Sequence, residues 1–491
     1  MTVMSVSDPD CGKCKTIKTP SGKDRDIHHR FPKALEHHYP LPALESTSIP
    51  VYRGNFDLNA TRYRGVIAIE LEPRPSLVAY GVREVTLPDG LDNFLGTREP
   101  AQWVDYDAIA IRTEKVPAPA KTSRPPNRPG TVGAVSTRAP HLAGIDVGES
   151  ADLDQVTFYL FNGWYGLDGF NTCHDGHECR GRIDTTLGEW QLRIEPRGDI
   201  PPTVCVRHQR ETGKSTVTHI GRIRRDDGGR FNAADAMEVL QVVETLAGFA
   251  LGRVTAVVLP VGYRAGLATW ARWKCNRAVD RPLGATPFLD QTHTAAQLTE
   301  LFRAGYATSK DPLRWQVFQS ALGYHYSAEH QATVSMKVML PVSALQLISY
   351  AHLVQELQVG DPNYLTHRQW SDKSLGTIGQ LRRLLSVVGV DMSVPKHFAQ
   401  LVKVQADITD NALPAPDALD CVVRLRNRVA HPKQKDAKRW TTEGWAEAGF
   451  AATTMFNLAM LWWLGYDHRY LGKTLEYRGA DQSTYVPWHK P

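Results

Sequence analysis

The residues of this chain best suited to chemistry lie together near its C-terminal end. The run Cys421-Val422-Val423-Arg424-Leu425-Arg426-Asn427-Arg428-Val429-Ala430-His431-Pro432 places three guanidinium groups, an amide and an imidazole close along the chain. From Cys421 to Trp440 seven basic residues, Lys433 and Lys435 among them, stand against Asp436 alone. Residues 311–491 hold 19 basic and 16 acidic residues in all, so the rest of that region is net acidic. Positive charge is therefore focused on one segment. Such a row can be a solvated face, but unneutralised like charges repel. Forked guanidinium donors suit phosphate oxygens, so the segment reads as phosphate-seeking.

Two further patterns have the spacing of known chemistry. Cys11-Gly12-Lys13-Cys14 has the form of a zinc knuckle, and Cys173-His174-Asp175-Gly176-His177-Glu178-Cys179 packs four potential ligands into seven residues. Cys11, Cys14, Cys173 and Cys179 would complete a tetrahedral zinc site, structural because four thiolates leave no open position. The competing reading is a surface turn with reduced thiols beside an unrelated N-terminal pair. Glu211-Thr212-Gly213-Lys214-Ser215 ends like a P-loop, yet His208 stands where a phosphate-cradling loop needs glycine. Strand-like runs at 203–207 and 216–223 flank it, which predicts a hairpin turn and no nucleotide site.

The elements that must position these groups divide the chain in two. Residues 1–45 are polar, rich in Cys and His, and read as an N-terminal extension. From 46 to about 215 short β-branched and aromatic runs alternate with Gly, Pro, Asn and Asp clusters, as strands alternate with turns. Six prolines between Pro117 and Pro140 predict a solvated loop. An amphipathic helix is expected from Ala233, and strands at 254–261 and 268–274. Beyond Asp311 helices dominate: 314–322, 332–357 with a kink at Pro341, 377–388, 395–408, 417–430 and 442–464. The expectation is an α+β multidomain protein: a β-rich regulatory domain over 46–310, an all-α bundle over 311–475, and a tail over 476–491.

Composition narrows the class. With 491 residues the chain exceeds the ~250–300 residues that one core usually serves. An apolar fraction of 42% and a charged fraction of 22% exclude a largely disordered chain. The net charge of +5 is too small to mark a generally basic protein. Seven cysteines are too sparse for a disulfide scaffold. The first 18 residues lack the apolar stretch of a secretory signal, and the apolar run 450–464 is shorter than a membrane span. A cytoplasmic protein without a membrane partner is expected.

The Arg426-Asn427-Arg428-Val429-Ala430-His431 run closely resembles the Arg-x4-His signature of HEPN-domain ribonucleases, small helical bundles common in toxin and phage-defence systems. Its setting late in a helical domain, with Ala-His-Pro after the polar triplet, fits that family. The β-rich region ahead of the bundle, with Leu259-Pro260-Val261-Gly262-Tyr263, Trp270-Ala271-Arg272-Trp273 and Leu301-Phe302, is similar to the ApeA-type abortive-infection proteins. The resemblance implies metal-independent attack of a ribose 2′-OH on the neighbouring phosphate, with no cofactor. His431, titrating near neutral pH, would move the proton. Arg426 would stabilise the charge developing on phosphorus oxygens, and Asn427 would position an oxygen or a catalytic side chain. Arg424 and Arg428, four apart on one helical face, with Lys433 and Lys435, would hold neighbouring phosphates of the RNA.

Five residues turn an ideal helix through about 140° beyond a full turn, so Arg426 and His431 would point apart. Pro432 pushes His431 out of helical geometry, and the family's remedy is a homodimer joined through the helical domain, with a phage-derived trigger sensed by the N-terminal domain. The sequence departs from the family at Gln346, where many members carry an acidic residue; Glu356 is too far along to replace it. Two other functions compete: a non-catalytic HEPN RNA-binding or scaffold protein, and a zinc-dependent binding module built on the Cys/His segments.

Overall fold

The computed structural model describes residues 17–18, 24–25, 34–36, 38–39, 41–58, 61–71, 76–84, 134–139, 145–164, 168–174, 177–274, 288–290, 292–330, 333–409, 416–430, 441–472, 474 and 483–490. The chain forms two compact units, Met1–Glu244 with Thr255–Pro282, and Thr245–Val254 with Leu283–Pro491. The first is β-rich and the second helical, so the α+β architecture holds.

In the first unit β1 (Ile17–Lys18) pairs with β2 (Asp24–Arg25). A four-stranded antiparallel meander follows: β3 (Ser48–Leu58), β4 (Thr61–Glu70), β5 (Ser76–Glu84) and β6 (Ala134–Ala139). An eight-stranded antiparallel sheet comprises β7 (Ile145–Gly148), β8 (Gln155–Phe161), β9 (Phe170–His174), β10 (His177–Leu187), β11 (Trp190–Pro196), β12 (Val217–Arg225), β13 (Val257–Arg264) and β14 (Leu267–Trp273). Its order is β7-β14-β13-β8-β12-β11-β10-β9. Helix α1 (Pro202–Thr212) precedes β12, and α2 (Ala233–Leu251) begins in this unit and ends in the second.

Side chains two apart on successive strands share one core: Ile67 and Ile69, Ile145 and Val147, Tyr159 and Phe161, Ala271 and Trp273. This is the period-two pattern of two sheets packed face to face. The opposite face of β8 is buried as well, since Val156, Phe158 and Leu160 are inaccessible. A Cβ on Gly221 would stand 2.1 Å from the Phe158 ring, so β12 can lie against β8 only with glycine there. In β13 the pairing jumps between Val258 and Val261, and Leu259 takes a φ of 52° in that bulge. A left-handed leucine is uncommon; Pro260 suits the bulge because no ladder hydrogen bond is asked of it there.

The stretch 34–42, read from sequence as part of a polar extension, contributes Leu35 and Tyr39 to this core. Leu35, Tyr39 and Pro42 tie it down through their backbone groups. Leu35 N–H donates to the Glu195 carboxylate, which Arg182 Nε also engages at 2.7 Å. Tyr39 N–H donates to the Tyr159 hydroxyl at 2.9 Å, that hydroxyl donates to the Tyr39 carbonyl at 2.7 Å, and Trp273 Nε1 donates to the Tyr39 hydroxyl at 2.7 Å. Arg197 Nη2 donates to the Pro42 carbonyl at 2.8 Å.

Two local expectations are corrected. The β-branched run 203–206 is helical, within α1, because Pro202 opens a helix and Gly213 closes it in the left-handed conformation; Cys205 and Gln209, four apart, are its buried face. Lys214 therefore sits in a helix-to-strand link, not a hairpin. Within the proline-rich stretch, residues 134–139 form β6, paired with β5, because that segment itself carries no proline before Pro140.

In the second unit α3 (Thr294–Thr308), α4 (Pro312–His330), α5 (Met336–Tyr350), a π-helical turn (Ala351–Glu356), α6 (His367–Trp370), α7 (Gly376–Val388), α8 (Ala399–Thr409), α9 (Ala418–Ala430) and α10 (Thr442–Trp463) precede a short pair, β15 (Arg469–Tyr470) and β16 (Thr484–Tyr485). Helix α10 is buried nearly all round, as the central helix of a bundle must be; α5, α7, α8, α9 and α4 pack against it. Helix α5 runs through Pro341 without ending. Among the described residues only 336–356 is long and apolar enough to cross a membrane, and Val338, Val342, Leu345 and Ile348 of it are core side chains of the bundle.

His219 gives a test of the first unit. It is fully buried; burial pushes its imidazole down to about 3, whereas the unfolded chain titrates near 6.5. The unfolded state therefore takes up a proton that the folded state refuses. Stability should fall by about 1.4 kcal/mol per pH unit on going below 6.5 and level off near 3. Urea unfolding of wild type and His219→Gln across that range measures it; equal slopes would exclude His219 as the source.

Candidate functional site

Helix α9 carries the basic row, and its geometry follows from its two halves. The N-terminal half is core: Ala418, Leu419, Cys421, Val422, Val423 and Leu425 are buried. Asp417 and Asp420 start the helix by exchanging backbone bonds, Asp417 N–H to Asp420 Oδ2 at 3.0 Å and Asp420 N–H to Asp417 Oδ1 at 2.9 Å. Arg382 of α7 bonds both carboxylates, reaching Asp420 at 3.1 Å. Hydrogen bonding to Asp417 holds its guanidinium above the ordinary range despite partial burial. The Cys421 thiol is pushed up to about 12 by burial, with Asp420 and Asp417 adding to it, and is no nucleophile at neutral pH.

The C-terminal half emerges from the core. Arg424, Arg426 and Arg428 are half-buried and Asn427 is exposed. Arg426 Nη1 donates to the Asn427 side-chain oxygen at 3.1 Å, while its Nε is buried with no hydrogen-bond partner among the described residues. Arg428 Nη2 lies 4.0 Å from the Asp407 carboxylate of α8. The structure thus brings Arg426 and Asn427 together and directs Arg428 toward α8. His431, Lys433 and Lys435 lie outside the described residues. A buried guanidinium nitrogen without an acceptor costs about 1–3 kcal/mol.

Gln346 of α5 is occupied elsewhere. Its amide nitrogen donates to Gln380 Oε1 at 3.0 Å and to Thr377 Oγ1 at 3.3 Å, both on α7. Glu356 is the last residue of the π-helical turn that follows α5. Its carboxylate accepts from Arg314 Nε at 2.6 Å and from His352 Nδ1 at 2.7 Å, and the His352 ring meets Trp462 edge-on at 4.8 Å. Arg314 lies over the Trp463 ring at 5.1 Å, and its carbonyl accepts from Trp463 Nε1 at 2.8 Å. The sequence reading missed this Arg314–Glu356–His352 cluster. The His-x3-Glu spacing was visible, but Arg314 comes from α4 and the extra backbone residue of a π turn has no sequence mark.

Of the cysteines read as zinc ligands, Cys11 and Cys14 lie outside the described residues. Cys173 and Cys179 stand on a hairpin whose register pairs Cys173 with Glu178 and Cys179 with Thr172, so adjacent rungs put the two positions on opposite faces. Cys179 Sγ donates to the Gly198 carbonyl at 3.6 Å. Among the described residues no group of three His, Cys, Asp or Glu side chains gathers as a metal site would require.

The Glu356 cluster is testable by its pH dependence. Burial alone would raise its carboxyl, but the bonds from His352 and Arg314 prevail and hold it below the ordinary range. Its contribution is complete above that range and disappears as pH falls through the lowered value. Glu356→Gln should destabilise the protein by about 1.5–3 kcal/mol at pH 7 and by much less near pH 3, read from urea unfolding at both pH values. An equal loss at both would mean that packing, not charge, is what Glu356 provides.

Comparison with known proteins places these elements in a wider group. Residues 148–284 match the YopA central domain, and residues 311–481 match the YopA C-terminal domain. The chain is 22% identical over 269 residues to the SPbeta prophage-derived uncharacterized protein YopA of Bacillus subtilis (strain 168), which covers 54% of this chain. The chain spans 57% of the length of that relative. No solved structure matches. Strands β8 to β14 of the eight-stranded sheet, with α1 and α2, thus lie in the region similar to the YopA central domain, and the bundle from α4 onward, with α9 and the Arg314–Glu356–His352 cluster, in the region similar to the YopA C-terminal domain.

Proposed function

We propose that the protein is a metal-independent endoribonuclease of a phage-defence system, with Arg426, Asn427 and His431 as its catalytic groups. The observation that carries this reading is the buried, unpaired Nε of Arg426 at the point where α9 leaves the core. A phosphate oxygen is the acceptor that a half-buried, permanently charged guanidinium favours most. In the proposed reaction a ribose 2′-oxygen attacks the adjacent phosphorus and the 5′-oxygen leaves. His431 moves the proton, and Arg426 neutralises the charge that builds on the non-bridging oxygens. Arg424, Arg428, Lys433 and Lys435 extend the phosphate contacts along the strand. The site is completed in a homodimer formed through the helical unit, so that Arg426 of one protomer and the partner's motif act on one phosphate. The β-rich unit would restrain this activity until a phage-derived trigger binds. The prophage origin of the relative is in keeping with a phage setting.

One observation favours a second reading, in which the basic row binds RNA without cutting it. Position 346 holds a glutamine, whose amide nitrogen donates to Gln380 and Thr377, so no carboxylate or base stands there to orient the motif.

Cleavage of total cellular RNA by the full-length protein separates the two. The ribonuclease reading expects Arg426→Ala and His431→Ala each to lower the rate by at least about a hundredfold. It expects Arg424→Gln to weaken RNA binding modestly and to reduce the salt dependence by about one ion. RNA binding without cleavage in the wild type would favour the second reading, and full activity in both alanine variants would exclude this assignment of the site.

A further inference from the structure

The helical unit holds a cavity of about 360 Å³, bordered by the α7–α8 link, the first residue of α9, the middle of α10 and the chain at Tyr470. At ~30 Å³ for each water-sized group, it has room for about a dozen non-hydrogen atoms. Its walls are largely apolar, with Ala451, Met455 and Leu458 of α10 lining it together with Val390, Pro395 and Pro487.

Three polar groups give this cavity a chemical character. Thr454 of α10 lines it and is 6% exposed, and its Oγ1 has no hydrogen-bond partner among the described residues. A helical threonine ordinarily turns its hydroxyl back to the carbonyl four residues earlier; this one does not. Tyr470 is buried on another wall. Burial, reinforced by the Asp391 carboxylate, pushes its phenol up to about 12, so it stays neutral. Asp391 itself stands exposed at the rim. Its oxygens accept one bond each from Ser393, from the N–H at 2.8 Å and from the hydroxyl at 2.9 Å. Each oxygen keeps acceptor capacity for another donor. Among the described lining residues Asp391 carries the only carboxylate, and none carries a basic group.

An anionic ligand would meet an unneutralised carboxylate, and a purely apolar one would leave the Thr454 hydroxyl unpaired. A donor-bearing cation with an apolar body satisfies both. We propose that this cavity binds a small organic amine of about a dozen non-hydrogen atoms, with its ammonium on Asp391 and its apolar body against α10. The assignment does not depend on the ribonuclease reading. Ala418, on the cavity wall, is eight residues before Arg426, about 12 Å along the axis of α9.

Calorimetric titration of the full-length protein with tryptamine, 3-ethylindole and indole-3-acetate tests the proposal without any activity assay. Tryptamine should bind at least tenfold more tightly than either of the others. Asp391→Asn, which keeps an acceptor for the Ser393 turn, should remove that preference and leave 3-ethylindole unaffected. Thr454→Val should weaken tryptamine several-fold, and Ala451→Phe, which fills the cavity, should abolish binding of all three. Absence of tryptamine binding, or binding unchanged in Asp391→Asn, would overturn the proposal. Equal affinity for all three would reduce the site to an unselective apolar cavity and overturn it as well.

Discussion

The helical unit is organised by one constraint: α10 is buried nearly all round from Ala451 to Leu461 and must be enclosed. A helix with an apolar stripe needs one partner, but a helix with no polar face needs several. Helices α4, α5, α7, α8 and α9 meet that need. Enclosure also dictates where each surrounding helix can be polar. Helix α9 gives its first two turns to the core and has no remaining requirement to be apolar beyond Leu425. Its basic residues, Arg424, Arg426 and Arg428, therefore gather in its second half. There the C-terminal end of a helix, which carries partial negative charge, also favours cations.

The same enclosure leaves polar groups that must be answered individually. Asp417 and Asp420 are answered by each other's backbone and by Arg382, which fixes the start of α9. Trp463, at the far end of α10, is answered by the Arg314 carbonyl, and Arg314 by Glu356. Among the polar atoms left without a partner within the described residues are Arg426 Nε, on the basic row, and Thr454 Oγ1, in a cavity. Nearly all buried polar atoms in folded proteins find partners, so each such exception is a place where a bound group can complete the bundle. The β-rich unit solves the corresponding problem within itself. Its strap at 34–42 has Leu35, Tyr39 and Pro42 bonded to Glu195, Tyr159, Trp273 and Arg197, so a stretch that looks like an appendage is part of the sandwich core.

Much of the helical unit was legible because its signals are local. The starts and stops of α7, α9 and α10 follow from apolar spacing, a glycine at the end of α7, and acidic or hydroxyl residues ahead of α9 and α10. The charge focus of α9 was equally plain, since charge needs only to be counted. The misreadings came where local preference and context disagree. The run Thr203-Val204-Cys205-Val206 is β-branched, yet Pro202 and Gly213 bracket a helix, and the bracketing residues prevail because propensity differences are a fraction of a kcal/mol per residue. Leu35 and Tyr39 stand alone among polar neighbours, and a strap has no periodicity to betray it.

By itself the sequence determined the order and type of most elements, the division into a β-rich and a helical part, and the place where positive charge concentrates. These depend on neighbours along the chain. Tertiary structure decided which of those charges have partners. It sent Arg428 toward Asp407, tied Arg382 to the start of α9, joined Arg314, His352 and Glu356 across two helices, and left Arg426 Nε and the Thr454 hydroxyl without an acceptor or donor. Pairing is a matter of a few ångströms between residues tens or hundreds of positions apart, and only packing around α10 sets those distances.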